Sequence, residues 1–248
     1  MKDNFSTQSD EYARFRPNYP DEFFEYLLSI TNAMENAWDC ATGNGQIAGK
    51  LAPYFKQIYA TDISQAQIQN AVHLPNINYS IQPAENTDFS DAMFDLIVVA
   101  QAIHWFNFNA FYKEVYRTLK KDGHLIVAGY QLLQVSEDID VIISNFQKNV
   151  IGEYWDDERR YIDEGYQTIP FPFKEVTTPE FSISLSWTLE HLMGYLNTWS
   201  AVKHFEKRNG YNPVEKIKGE LKNSWGNNKH RQVIFPVMLR VGVLKKES

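Results

Sequence analysis

A glycine turn with an acidic residue at its start is the first place in the sequence where chemistry is expected. The turn follows a short apolar run, precedes a helical pattern and reads Asp39-Cys40-Ala41-Thr42-Gly43-Asn44-Gly45. Glycines let the backbone turn tightly and approach a ligand closely. The turn holds no lysine or arginine, and a carboxylate beside it suits a cationic ligand better than a pyrophosphate. Ordinary turn chemistry is the alternative explanation.

A second carboxylate follows at a spacing typical of ribose binding. Asp62 ends the strand-like run Gln57 to Thr61 and lies 19 residues after Gly43 (62 minus 43). A carboxylate in that position can accept hydrogen bonds from both hydroxyls of a ribose. The alternative is that Asp62 caps the helix that begins near Ser64. Together with the glycine turn, Asp62 favours a cofactor that contains a ribose.

Two more segments follow strand-like runs and carry polar or aromatic side chains. Gln82-Pro83-Ala84-Glu85 stands where sheets of this kind contact an adenine. Gln101-Ala102-Ile103-His104-Trp105-Phe106 follows Phe94–Ala100, the strongest strand pattern of the chain. We expect the second segment to line a small-molecule pocket. The alternative is that Trp105 and Phe106 only cap the core.

The elements that must position these residues alternate between strands and helices. Strands are expected at residues 37–41, 57–61, 78–82, 94–100 and 124–129, and helices at 21–30, 46–54, 64–73 and 108–119, with a turn at 120–123. Such alternation predicts a parallel sheet that is covered on both faces and binds ligands at the carboxyl ends of its strands. Beyond this half, the patterns predict one or two strands in 175–187, helices at 188–207 and 213–222, and a last strand at 232–244 with an edge-like Pro236.

Composition limits the class of protein and of partner. Apolar residues form 44% of the 248 residues and charged residues 22%, which is typical of a globular protein. The net charge is −7 and lysines and arginines do not cluster, so we expect no nucleic-acid partner. A single cysteine, Cys40, excludes intramolecular disulfides. No signal-peptide or membrane-length apolar run is present, so we expect a cytoplasmic protein without a membrane partner.

The motifs resemble, in order and spacing, those of class I S-adenosylmethionine-dependent methyltransferases. The similar segments are AWDCATGNGQIA, YATD, PAENTDF, FDLIVVAQAIHWF and LKKDGHLIV, and the resemblance covers about residues 5–130. The stretch from Tyr12 to Pro20 and the AIHWF segment look like the type 11 small-molecule branch, which includes trans-aconitate methyltransferases. One position departs from the family pattern, because Ala41 stands where a glycine is usual.

The resemblance implies a fold, a cofactor and a set of site residues. The expected fold is one doubly wound, mostly parallel, seven-stranded Rossmann-like α/β domain over residues 1–248. Residues 1–130 form its cofactor-binding half, 131–235 an inserted helical lid with substrate-side insertions, and 232–244 the last strand. The cofactor would be S-adenosylmethionine and the product S-adenosylhomocysteine, and no metal is expected. The cofactor-binding residues would be Asp39, Ala41, Thr42, Gly43, Asn44, Gly45, Asp62, Ile63, Ala84, Glu85 and Gln101. The acceptor side would be formed by Tyr12, Arg16, Tyr19, His104 and Trp105.

The resemblance also implies roles for residues within this set. The resemblance puts Asp39 near the cationic end of the cofactor, Asp62 on its ribose and Glu85 by its adenine. Arg16 would pair with a carboxylate of the cofactor or of the substrate, or remain a surface arginine.

The favoured function is methyl transfer to an oxygen, carboxylate or hydroxyl, of a small molecule. A carboxylate acceptor needs no base, whereas a hydroxyl needs one, and His104 is the candidate base or else a pocket wall. Enzymes that methylate nucleic-acid bases usually carry Asn/Asp-Pro-Pro-aromatic where this chain has Gln-Ala-Ile-His-Trp. The alternatives are a non-catalytic S-adenosylmethionine-binding protein and a nucleotide- or NAD-dependent enzyme.

Overall fold

A mixed β-sheet forms the centre of the computed structural model, which describes residues 15–244. Its strands are β1 Asn36–Cys40, β2 Gln57–Asp62, β3 Ile77–Ile81, β4 Phe94–Ala100, β5 Leu119–Tyr130, β6 Lys174–Val176, β7 Ser182–Trp187 and β8 Arg231–Val243. The order is β3-β2-β1-β4-β5-β8-β6, and β7 pairs with β8 outside this path. The strands β1 to β5 are parallel, and β8 is antiparallel to β5, β6 and β7. The expected Rossmann-like sheet is confirmed, with β7 as an eighth strand.

Helices cover both faces of the sheet. They are α1 Asp21–Ile30, α2 Gln46–Leu51, α3 Gln65–Gln69, α4 Phe108–Thr118, α5 Glu137–Asn145, α6 Arg159–Asp163, α7 Leu189–Asn197, α8 Ser200–Asn209 and α9 Lys218–Trp225. Alternate residues of β4 show the two covered faces, since Leu96 and Val98 join one buried cluster and Ile97 and Val99 the other. A strand buried on both faces needs a continuous apolar run, which β4 has. No helix within residues 15–244 is both long and apolar enough to cross a membrane.

The single helix expected at 188–207 is wrong. Helix α7 ends at Asn197 and α8 begins at Ser200, because Trp199 adopts an extended backbone conformation with ψ 133°. The hydroxyl of Thr198 donates to the carbonyl of Tyr195 at 2.6 Å, and such local bonds compete with helix propagation. The break also lets the buried Trp199 ring pack against Phe146.

Two local expectations about strands also need correction. The turn expected at 120–123 is an irregularity inside β5, where Asp122 has φ +59° and the pairing with β4 skips from Leu119 to His124. Pro236 does not mark an edge strand, since β8 pairs with β5, β6 and β7. The carbonyl of Pro236 accepts from Gln131, just past the end of β5. Pro236 therefore lies just past the end of the pairing between β5 and β8, where its missing N–H removes no hydrogen bond of that pairing.

Candidate active site

A cleft opens at the carboxyl ends of β1, β2 and β4, where the parallel sheet is expected to bind ligands. Its lining residues are Arg16, Pro17, Tyr19, Asp39, Ala41, Thr42, Gly43, Asn44, Gln46, Ile47, Asp62, Ile63, Ser64, Gln67, Ala100, Gln101, Ala102, Trp105 and Tyr130. The structure therefore brings most of the sequence-predicted site residues to one place.

Asp39 is a buried carboxyl group at the end of β1. Its Oδ2 accepts hydrogen bonds from the Thr42 hydroxyl at 2.5 Å and from the Ala48 backbone N–H at 2.9 Å. The pKa of Asp39 is raised from 3.8 to about 7, because burial, with a smaller contribution from the nearby Asp62 carboxylate, outweighs the two hydrogen bonds that lower it. A cationic ligand beside Asp39 would favour its ionised form.

Asp62 joins the glycine turn to the loop after β2. Its Oδ2 accepts from the Gly43 N–H at 2.9 Å and its Oδ1 from the Ser64 N–H at 2.8 Å. A carboxylate has about four acceptor positions, so these two bonds are compatible with further bonds to a ligand. The helix cap is Ser64, as expected, because its hydroxyl accepts from the Gln67 N–H. Capping therefore does not account for Asp62.

The backbone of the glycine turn is left-handed at three positions. Ala41, Gly43 and Gly45 have φ values of +57°, +56° and +80°. A Cβ at Gly45 would also collide with the hydroxyl oxygen of Tyr79. At Ala41 the left-handed conformation explains why a glycine suits this position, since an L side chain there costs about 1–2 kcal/mol.

Gln101 lies where β4 ends and also has a left-handed backbone, with φ +56°. Its N–H donates to the carbonyl of Ala128 at 2.9 Å, which fixes the residue beside β5. Its side-chain nitrogen is buried and has no hydrogen-bond partner within residues 15–244. A buried donor without a partner is costly, and a ligand oxygen would satisfy it.

A second cavity adjoins the cleft and shares Arg16, Gln101 and Trp105 with it. The other lining residues are His104, Trp155, Asp156, Arg159, Ile162 and Ser200. We call it the acceptor cavity.

His104 is buried in the wall of the acceptor cavity. Its Nδ1 lies 3.0 Å from the hydroxyl oxygen of Tyr166. Burial, together with the smaller effect of the positive charge of Arg159, lowers the pKa of His104 from 6.5 to about 3. The imidazole is therefore neutral near pH 7, and it is a weak base.

Arg16 stands at the boundary between the cleft and the acceptor cavity. It donates to the hydroxyl of Tyr130 and to the carbonyl of Thr198, both at 3.3 Å, and lies 5.2 Å from the ring centre of Tyr195. These contacts make it half-buried, so the surface-arginine alternative is not what the structure shows. Tyr19 is buried and stacks on Phe23. Tyr12 lies outside the described residues.

Three of the expected cofactor residues do not line the cleft. They are Gly45, Ala84 and Glu85. Ala84 is buried in the core, and the Glu85 carboxylate accepts from the Asn107 N–H at 3.0 Å.

Sequence reasoning missed several lining residues in the second half of the chain. They are Tyr130, Trp155, Asp156, Arg159, Ile162 and Ser200. The one signal for them was the charged and aromatic run EYWDDERRY, which matches no motif.

Comparison with known proteins identifies the family. A methyltransferase-domain family model matches residues 38–127. A chain assigned as a methyltransferase in Dictyostelium discoideum is 34% identical over 245 residues, covering 96% of this chain and 93% of that one. This chain belongs to the class I S-adenosylmethionine-dependent methyltransferases. The family decides against the NAD-dependent alternative, and S-adenosylmethionine is the cofactor.

Solved methyltransferase structures have the same architecture. One assigned as a type II methyltransferase, from Anaeromyxobacter dehalogenans, is 33% identical with a TM-score of 0.87 and covers 94% of this chain and 100% of its own. A phosphoethanolamine N-methyltransferase from Haemonchus contortus, solved with S-adenosyl-L-methionine, is 15% identical with a TM-score of 0.50. The match covers 97% of this chain and 57% of that one. The second likeness shows the fold alone.

The residues of this methyltransferase fit its cofactor. S-adenosylmethionine carries an ammonium group, a carboxylate and a ribose. The cleft offers acidic groups at Asp39 and Asp62, a guanidinium at Arg16 and the amide donor of Gln101, which no described residue satisfies. Groups of opposite charge or complementary hydrogen bonding therefore stand along one cleft.

Proposed function

We propose that this methyltransferase methylates an oxygen of a small organic acid that is bound in the acceptor cavity. The observation that carries the proposal is the guanidinium of Arg159 in a cavity that adjoins the cofactor cleft and has a neutral His104 in its wall. The resemblance of the amino-terminal and AIHWF segments to trans-aconitate methyltransferases points to the same class of acceptor.

The cofactor assignment follows the charges of the cleft. Asp39 would face the ammonium group, Arg16 the carboxylate of the methionine part, and Asp62 the ribose hydroxyls. Gln101 would donate to the methionine part, and Ala84 and Glu85 would lie on the adenine side. This assignment leaves Arg159 for the acceptor.

Arg159 is held in one orientation by its neighbours. Its Nε donates to Asp163 at 2.9 Å, and its guanidinium lies 4.4 Å from the ring centre of Trp155. The side chain is 16% exposed, and its terminal nitrogens make no hydrogen bond within residues 15–244. A fixed guanidinium with two unused NH₂ groups suits a carboxylate, which it can bind through two parallel hydrogen bonds.

The acceptor chemistry requires placement more than proton transfer. The cofactor supplies an activated methyl group on its sulfonium. A carboxylate is ionised near neutral pH and has no proton to lose, so the protein needs to align it and exclude water. A hydroxyl acceptor would need a general base, and a histidine with a pKa near 3 is a weak one.

The experiment is a labelled-methyl assay with small mono-, di- and tricarboxylic acids and their amides. We expect methyl esters from an acid and no product from the matching amide. Arg159→Gln should raise the KM for the acid by at least about tenfold, because both hydrogen bonds lose the guanidinium charge and even one such bond is worth about 1.5–3 kcal/mol, while affinity for S-adenosylhomocysteine stays unchanged. The matched control is Arg160→Gln, because Arg160 is an exposed neighbour outside the cavity.

Two results would contradict the proposal. Equal KM values for Arg159→Gln and Arg160→Gln would remove Arg159 from the acceptor site. Cofactor binding with no transfer to any acid would favour another acceptor or the non-catalytic alternative.

His104→Gln separates a carboxylate acceptor from a hydroxyl. With a carboxylate acceptor, turnover should stay within about tenfold, because no proton has to be removed from the acceptor. A loss above about a hundredfold, with unchanged cofactor affinity, would show that His104 acts as a base.

A further inference from the structure

We propose that Gly194 is a positioning residue: its missing side chain leaves the space that seats Phe15, and this contact holds Arg16 at the mouth of the acceptor cavity. The proposal rests on the role assigned above to Arg16, the cofactor carboxylate. Gly194 lines neither the cleft nor the acceptor cavity.

The ring of Phe15 fills the space above Gly194 in α7. A Cβ built on Gly194 would lie 2.7 Å or less from three ring carbons of Phe15, closer than real side chains approach each other. The same ring meets His191 edge-on, with 5.1 Å between ring centres. Phe15 is therefore seated on one face of α7, and any side chain at position 194 must move it.

A displacement of Phe15 is transmitted to Arg16. The two residues are adjacent, and Arg16 precedes Pro17, which restricts its backbone to extended conformations. On the far side, the buried Tyr19 is fixed by stacking on Phe23. The short segment from Phe15 to Tyr19 is thus held at both ends, with Arg16 between the two anchors.

Arg16 has little tolerance for such a displacement. Within residues 15–244 it donates to the Tyr130 hydroxyl and to the carbonyl of Thr198, both at 3.3 Å, and these partners lie in different parts of the fold. Hydrogen bonds weaken quickly beyond this length. A small shift would therefore release the guanidinium from the geometry that faces the cofactor.

Glycine inside a helix is less favourable than alanine, so a loss of affinity in Gly194→Ala could not be attributed to helix propensity. Alanine is favoured over glycine in helix interiors, so Gly194→Ala should be harmless if the space has no role. Gly219 in α9 is a matched control, because a Cβ there would meet nothing within 4 Å.

The experiment measures S-adenosylhomocysteine affinity by calorimetry and the urea midpoint for Gly194→Ala, Phe15→Ala, the double variant and Gly219→Ala. We expect each of the first two to lose about tenfold in affinity, the loss of one hydrogen bond to a charged group. The double variant should be no worse than either single variant, because both changes remove the same contact. Gly219→Ala should bind like the wild type.

Different results would contradict the positioning role of Gly194 and the assigned role of Arg16. Wild-type affinity of a folded Gly194→Ala, or additive losses of about a hundredfold in the double variant, would overturn the proposal. If Gly194→Ala fails to fold, Phe15→Ala alone decides, since it leaves α7 intact. Arg16→Gln is measured in parallel: an unchanged affinity there would refute the assigned role of Arg16, and the positioning role would fall with it. A loss in Arg16→Gln with none in Gly194→Ala would refute Gly194 alone.

Discussion

The two acidic side chains of the cleft are oriented by hydrogen bonds within the protein. Asp62 accepts backbone N–H groups from both neighbouring loops, and Asp39 accepts from Thr42 and Ala48. Such bonds orient the carboxyl groups in advance, which lowers the entropy lost on binding. Asp39 is 1% exposed, whereas Asp62 is partly exposed. We therefore expect substitution of Asp62 to affect mainly ligand binding, and substitution of Asp39 to affect stability.

Asp62→Ala should weaken S-adenosylhomocysteine binding by more than about tenfold, since two charge-assisted hydrogen bonds are each worth about 1.5–3 kcal/mol. The bonds to Gly43 and Ser64 are lost as well, so the loops should loosen while the core stays folded. Calorimetry measures the affinity, and circular dichroism checks the fold. Unchanged affinity would refute the ribose assignment.

Asp39 should make stability depend on pH. Its pKa is raised by burial from 3.8 to about 7 in the folded protein, so the folded state keeps the proton to higher pH than the unfolded state does. This contribution to stability is fully present below about pH 4 and is lost as the pH rises through about 7. Urea midpoints of wild type and Asp39→Asn at pH 5 and 7.5 test this. The variant should gain relative stability at the higher pH; a constant difference would show that Asp39 is ionised at both values.

A side chain at Gly45 should lower stability, and part of the loss should depend on the Tyr79 hydroxyl. The left-handed backbone and the collision with the Tyr79 hydroxyl both act against Gly45→Ala, and the collision is removed in Tyr79→Phe. We expect Gly45→Ala to lower stability by about 1–2 kcal/mol from backbone strain alone, and by more with the collision. Tyr79→Phe alone loses the hydrogen bond from the Tyr79 hydroxyl to the Val72 carbonyl, so it is the reference, and Gly45→Ala should cost less in that background than in the wild type in urea unfolding. Equal costs of Gly45→Ala in the two backgrounds would mean that backbone strain is the whole effect.

At the scale of elements, β8 fixes the segment that carries the acceptor cavity wall. Arg240 of β8 donates to the carbonyls of Tyr166 and Ile169 at 3.0 and 2.8 Å and forms two bonds to Glu175. Tyr166, in turn, contacts His104. The position of His104 is therefore tied to the sheet through one guanidinium.

Arg240→Met should destabilise the fold by about 3 kcal/mol, because buried carbonyls and a carboxylate lose a charged donor. Arg240→Lys should restore only part of this, since lysine cannot reach all three partners as a fork. Glu175→Gln should cost about 1 kcal/mol or less, because the Glu175 side chain is 44% exposed. Urea unfolding measures all three. Equal losses for Arg240→Met and Glu175→Gln would contradict the role of the two carbonyls.

At the scale of the whole molecule, the two buried clusters share the strands of one sheet. Neighbouring residues of β5 show this, since Ile126 belongs to one cluster and Leu125 to the other. Helices α5, α7, α8 and α9 contribute to the same cluster as α1 and α2. The cofactor half and the later half are therefore expected to unfold together.

Ligand binding should stabilise both halves in one step. S-adenosylhomocysteine at about 100 times its Kd adds about 2.7 kcal/mol, which for a chain of this size corresponds to a rise in Tm of about 5–10 °C. Calorimetric scanning should show one transition that moves as a whole. A second transition that does not move would contradict the single-domain prediction.

The sequence by itself determined the parallel half of the sheet and most of the cofactor cleft. The apolar run of β4, the glycine turn before Gln46 and the position of Asp62 are local patterns, each read within a few residues. In a parallel α/β sheet the order of such patterns also sets where strand ends meet, so the cleft followed from chain order.

Only the tertiary structure decided the acceptor cavity and the break at Trp199. Arg16 forms hydrogen bonds to Tyr130 and Thr198, which are 114 and 182 positions away in the sequence. His104 contacts Tyr166, which is 62 positions away. No local pattern encodes such pairs, because each depends on how separately folded elements pack. The helix break has the same cause: the pattern of 188–207 is periodic, but burial of the Trp199 ring and the Thr198 hydrogen bond outweigh the small free energy by which helix propensity favours continuation.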